Sequence, residues 1–140
     1  LCAVAYAGWD YHRISQIYLP ADERSAAYRI DPMAAARASR LYADVVLFAE
    51  VTSHPATRDN AAWLLPAALR TLHFSPEPRV VIPVIESASL LGRDDLALAH
   101  LARFRAAFPR EHRAWAEGNE RTLKNAQALA GFADKASDGR

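Results

Sequence analysis

Residues 75–109 read SPEPRVVIPVIESASLLGRDDLALAHLARFRAAFP, and this stretch decides the fold. It carries the signals of a helical hairpin. Ser75-Pro76 opens a first helix, a capping hydroxyl followed by a proline whose missing N–H is harmless in the first turn. Leu90-Leu91-Gly92 closes it, because glycine accepts the left-handed conformation that ends many helices. Asp94 caps a second helix, and Asp95 lies in its first turn, where the helix dipole favours an acid. Apolar residues then recur at Ala97, Leu101, Phe104 and Phe108 until Pro109 stops the helix. The first helix is apolar almost all round from residue 80 to 85, so it is expected to be covered on two sides, at the centre of a stack. A strand is the alternative for RVVIPVI, but Pro83 suits no central strand and no neighbouring run alternates as its partner.

A chain of 140 residues supports one domain with a real core. Its 51% hydrophobic content excludes a disordered chain, and abundant alanine with only 5 glycines favours helix. The net charge of +1 offers no field to draw nucleic acid, which is excluded as a partner. The single cysteine, Cys2, allows no internal disulfide. The chain starts without Met, inside the apolar run LCAVAYAGW, about half the ~20 residues of a membrane span. Residues 1–9 are therefore expected to be a stub, the outer end of a transmembrane helix in a longer protein, with an ordinary core helix as the alternative. A single helical domain over 10–133 and a polar, mobile tail over 134–140 are expected to follow.

Taken in order, Val4, Tyr11, Ile14 and Tyr18 space a first helix up to about Leu19. Trp9, Tyr11 and Tyr18 are read as packing on a neighbouring helix, an interfacial aromatic belt being the alternative. Pro20 ends that helix, and PADERSAAYR forms a short helical piece. Asp31-Pro32 starts a helix on which Ala34, Ala38, Leu41, Val45 and Phe48 make an inner stripe over roughly five turns, with an Arg40–Asp44 pair outside. Thr57 caps a helix over 58–74 that Pro66 should kink. A last helix over 110–132 places Trp115, Leu123, Ala126, Leu129 and Phe132 inside, and Gly118-Asn119 is a candidate interruption. The expected core includes Phe48, Val81, Ile85, Leu101 and Phe104.

Two helix ends, at Phe74-Ser75-Pro76 and Phe108-Pro109, lie about 33 residues apart, a spacing of helix-pair repeats. Gly92, Ala97, Leu101 and Pro109 resemble the second half of a tetratricopeptide repeat, whereas Val84, Ile85 and Ala88 replace the Leu-Gly pair and aromatic of its first half. The fold class is thus all-α, stacked helix pairs in a tetratricopeptide-like α-α superhelix. Chemistry is not legible. No two of His12, His54, His73, His100 and His112 have helical zinc spacing, and no nucleophile elbow or phosphate loop occurs. Glu111-His112 with His100 would be the one acid–base pair conceivable across helices, and His100 with Arg103 is otherwise read as a solvated face. No catalytic, cofactor-binding or metal residue is assigned, and no cofactor is expected. Arg37, Arg70, His100 and Arg103, spaced along successive helices, are the candidates for a partner-binding groove.

Three stretches carry a resemblance: WDYHRISQIY at 9–18, TRDN at 57–60, and LHFSPEPR at 72–79 continuing to GRDD at 92–95. Together they resemble the C-terminal soluble region of the membrane-bound polymerase/ligase group, the Wzy C-terminal-like domain. That group includes O-antigen ligases and PglL-type protein O-oligosaccharyltransferases. The resemblance implies a parent enzyme with many membrane spans that moves lipid-linked glycan to an acceptor on the periplasmic side of a bacterial inner membrane. It implies that the catalytic residues lie upstream, and none maps onto this chain. The implied partners are the upstream transmembrane domain and an acceptor protein or lipid-linked glycan. A helix-pair interaction scaffold with no glycan role is the alternative.

Overall fold

Gly92 turns the hairpin as its chemistry demands, at φ 69°. The Gly92 N–H donates to the Ser89 carbonyl (3.0 Å) and the Arg93 N–H to the Ala88 carbonyl (2.8 Å), the paired bonds of a Schellman ending. The computed structural model describes the backbone of residues 1–138 and the side chains of residues 1–131, Ala35 excepted. Its elements are α1 (Cys2–Tyr18), a 3-10 turn (Ala26–Tyr28), α2 (Pro32–Ala36), α3 (Ala43–Ser53), α4 (Ala61–Leu72), α5 (Pro78–Leu90), α6 (Asp94–Ala107) and α7 (Arg113–Asp138). The fold is all-α, with no strand among the described residues. The chain has two compact units, Leu1–His54 and Pro55–Arg140.

In the second unit each helix packs on the next, α4 on α5, α5 on α6 and α6 on α7. This is the connectivity of stacked helix pairs. α5 lies between two neighbours and buries Val80, Val81, Pro83, Val84, Ile85, Ser87 and Ala88, as an all-round apolar helix must. Pro66 and Pro83 sit inside α4 and α5 without ending either helix. Three helix starts differ from expectation. α5 begins at Pro78, two residues after the Ser75-Pro76 signal, because the Ser75 hydroxyl donates to the Glu77 carboxylate (3.0 Å) instead of capping a turn. Arg93, not Asp94, holds the N-cap position of α6, so both acids fall in its first turn. Thr57 and Asn60 cap each other, Thr57 N–H to Asn60 Oδ1 (2.8 Å) and Asn60 N–H to Thr57 Oγ1 (3.3 Å), and α4 begins only at Ala61.

α7 runs through Gly118 uninterrupted. It buries Ala116 and Leu123 and half-buries Trp115, whose indole N–H donates to Glu86 on α5 (3.2 Å). Ala126 and Leu129, expected inside, are exposed. The Phe132 side chain and those of the expected tail at 134–140 lie outside the described residues.

In the first unit, Ile14, Ala36 and Val46 form the core, flanked by Ile17, Met33, Tyr42 and Val45. Asp31 caps α2 as expected, accepting from the Ala34 N–H (3.0 Å). The continuous helix expected from Pro32 to Phe48 does not form. Residues 37–42 leave the helix because Asp10 of α1 holds them: the Ser39 hydroxyl (2.8 Å) and the Leu41 N–H (3.1 Å) both donate to its Oδ2. The break resets the helical phase, so Val46 and Ala49 are buried, Phe48 is half-buried, and Ala34, Ala38 and Leu41 face outward. Arg40 thereby lies outside any helix, and the i,i+4 pair expected with Asp44 is not a helix-surface pair. The piece expected from PADERSAAYR is reduced to the single 3-10 turn. Residues 2–9 belong to α1, and no helix of the described residues is long and apolar enough to cross a membrane.

Candidate functional site

The helix ends of the second unit enclose an apolar recess of about 230 Å³. α4 contributes Leu72, the following loop Pro76, α5 Val81, and α6 His100, Arg103, Phe104 and Ala107, with Phe108 just beyond. The four-residue spacing puts His100 and Phe104 on one stripe of α6, and Phe108 caps the end of that stripe. Phe104 is fixed by tilted ring contact with Phe108 (5.2 Å between ring centres) and by an edge-on contact with Trp115 (5.6 Å). His100 is only 8% exposed, so the solvated face expected for it is not what forms. No hydrogen bond reaches its ring from the described residues. Burial first, and the Arg103 guanidinium second, hold its pKa below the ordinary 6.5, so the imidazole is neutral at neutral pH. Arg103 stands exposed at the mouth and pairs with no carboxylate of the described residues. The recess offers an apolar cavity, one neutral imidazole and one guanidinium. That set can bind an apolar group with an anionic end.

A second polar cluster lies in the first unit. Asp10 is fully buried, and besides its two hydrogen bonds it faces Arg13 Nη1 at 3.8 Å from Oδ1. Arg13 in turn stacks 3.7 Å above the Trp9 ring. Six residues on, the Gln16 side chain accepts from the Ser25 N–H (2.9 Å), and Arg24 donates to the carbonyls of Gln16 and Leu19. The Trp9-Asp10-Tyr11-His12-Arg13-Ile14-Ser15-Gln16 run is therefore a clamp that binds two later segments to α1. FSPEPR and LLGRDD have equally local roles. Glu77 ties Ser75 to Arg79 ahead of Pro78, and the second stretch is the Schellman turn followed by the acidic start of α6.

All of these stretches fall within one family match. The family described as virulence factor membrane-bound polymerase, C-terminal, covers residues 1–122. The chain belongs to this family. No curated protein and no solved structure matches it. Membership in a membrane-bound polymerase C-terminal family accords with the motif positions, since the clamp, the α4 cap and the hairpin turn are the features that build the two units.

Of the four residues expected to line a groove in this family domain, the structure brings two together. His100 and Arg103 share the recess. Arg70 is in the last turn of α4 and does not line it. Arg37 belongs to the other unit, where it pairs with Glu50 and Asp31, and the Glu50 carboxylate raises its pKa. Glu111 and His112 are exposed in the turn before α7, and no hydrogen bond joins them to His100. Among the described residues, no three of His, Cys, Asp and Glu gather in a way that could hold a metal ion. Sequence reasoning missed Leu72, Pro76, Val81 and Ala107 as lining residues. The His100–Phe104–Phe108 spacing was the signal that could have found the recess.

Proposed function

We propose that this chain is a periplasmic accessory domain of a multi-pass membrane glycosyltransferase, one that moves lipid-linked oligosaccharide or O-antigen glycan to a protein or glycolipid acceptor. Its part is to dock a partner, while the transfer chemistry belongs to the parent's membrane region. The observation that carries docking is the apolar recess with a cation at its mouth. The orientation of α1 supports a place next to the bilayer. This helix buries the polar Asp10 and Gln16 and exposes Leu1, Val4, Trp9 (53%), Tyr11 (60%) and Tyr18 (63%). Tyr11 meets the Tyr42 ring edge-on, as the reading of packing on a neighbour has it, and the exposed Val4, Tyr11 and Tyr18 share one side of α1, which suits the headgroup region of a membrane.

The test is made in cells with the full-length enzyme. Deleting the domain should lower glycan transfer to the native acceptor while the parent remains in the membrane at normal abundance. Transfer at the wild-type level without the domain would overturn the reading. A cysteine placed at the exposed Arg93 should react with a membrane-impermeant thiol reagent in intact spheroplasts, and protection there would overturn the periplasmic side.

A further inference from the structure

We infer that the recess of the second unit is a peptide-anchoring pocket: it takes one large apolar side chain, and Arg103 with His100 holds a carboxylate next to it. This rests on the docking reading above and names the occupant.

Size argues first. Pockets that engulf a whole small molecule run to about 300–1,000 Å³, and this one, at about 230 Å³, is smaller. It suits a single side chain, and an acyl chain would overrun it. The walls are almost wholly apolar, so the part that enters must be apolar too. Polarity at the mouth argues second. His100 is 8% exposed, lines the recess, and takes no hydrogen bond from the described residues, so its imidazole is free to meet a ligand there. Three residues later on the same helix face stands Arg103, a guanidinium that pairs with no carboxylate of the described residues. No acid lines the cavity. A neutral imidazole N–H and a fork of guanidinium donors together match a carboxylate. An apolar residue at the end of a peptide, or just before an acidic one, carries both parts at the required separation.

The probe is the tripeptide acetyl-Gly-Gly-Phe with a free carboxylate, titrated into the 140-residue chain while the imidazole signals of His100 are followed by NMR. Saturable shifts at His100 and in the Phe104 ring are expected. The same peptide ending in a carboxamide should bind at least about tenfold more weakly, the effect of losing one charge-assisted contact of roughly 1.4 kcal/mol. Arg103→Gln, at an exposed position, should abolish the preference for the acid, whereas Arg121→Gln, exposed on α7, should not. Ala107→Leu, which fills the mouth from an exposed position, should block both peptides. No saturable shift at His100, or equal affinity for acid and amide, would overturn the proposal. So would tighter binding of decanoate than of the peptide, which would assign the recess to a lipid. Failure here leaves the docking reading standing, since that falls only if the enzyme lacking the domain transfers glycan normally.

Discussion

Asp10 is a carboxylate sealed inside the first unit, with Oδ2 doubly engaged and Oδ1 accepting no hydrogen bond. Burial alone would raise its pKa. The Leu41 N–H, the Ser39 hydroxyl and the Arg13 guanidinium outweigh burial and hold it below the ordinary 3.8. The folded state thus gives up this proton more readily than the unfolded chain. Asp10 contributes stability that is fully present above pH 3.8 and is lost as pH falls through the lower folded value. Asp10→Asn should be less stable at neutral pH and should lack that acid-dependent loss. Denaturant unfolding across a pH series checks this, and parallel acid slopes in both proteins would remove Asp10 from the account. Nothing near position 10 announces this role, because the two groups that hydrogen-bond its carboxylate lie 29 and 31 residues away.

At the scale of elements, the turn between α5 and α6 was legible because its chemistry is local. Gly92 at φ 69° needs no Cβ, and a Cβ built there meets nothing within 4 Å, so the only penalty of a side chain is backbone strain. Gly92→Ala should cost about 1 kcal/mol. Gly118, also in open space but inside α7, should respond the other way: Gly118→Ala should stabilise by about 0.5–1 kcal/mol through helix propensity. Paired urea titrations with opposite shifts of the midpoint are the expected result. The helix expected over 32–48 failed for the opposite reason. Its spacing is sound for an isolated segment, yet Ser39 finds a better partner in Asp10 than in its own turn.

At the scale of the whole molecule, Phe104 ties the end of α6 to the turn that follows and to α7 in the second unit. This ring is 2% exposed and touches Phe108, His112 and Trp115. Phe104→Ala should cost about 3–5 kcal/mol, comparable to the margin of many domains. A large loss of helical ellipticity at 25 °C, or a much lower melting temperature, is the expected reading. A variant as stable as the parent would mean that α6 does not lean on this ring. Helical spacing tells which residues share a face of one helix, and His100 and Arg103, three apart on α6, both line the recess. It carries no information on which faces of separate helices meet, so the recess walls from α4 and α5 were not legible.

The sequence by itself determined that the chain is helical, where the α5–α6 hairpin turns, which apolar residues of that hairpin are inside, and to which family it belongs. Each of these depends on interactions within a turn or two, or on a residue pattern that survives without coordinates. Tertiary structure alone decided the break after α2, the burial of His100 and the outward face of α1. Those outcomes depend on contacts between residues far apart in the chain. A buried carboxylate or a closing cavity outweighs local preferences of a few tenths of a kcal/mol, roughly the scale on which helix propensity operates.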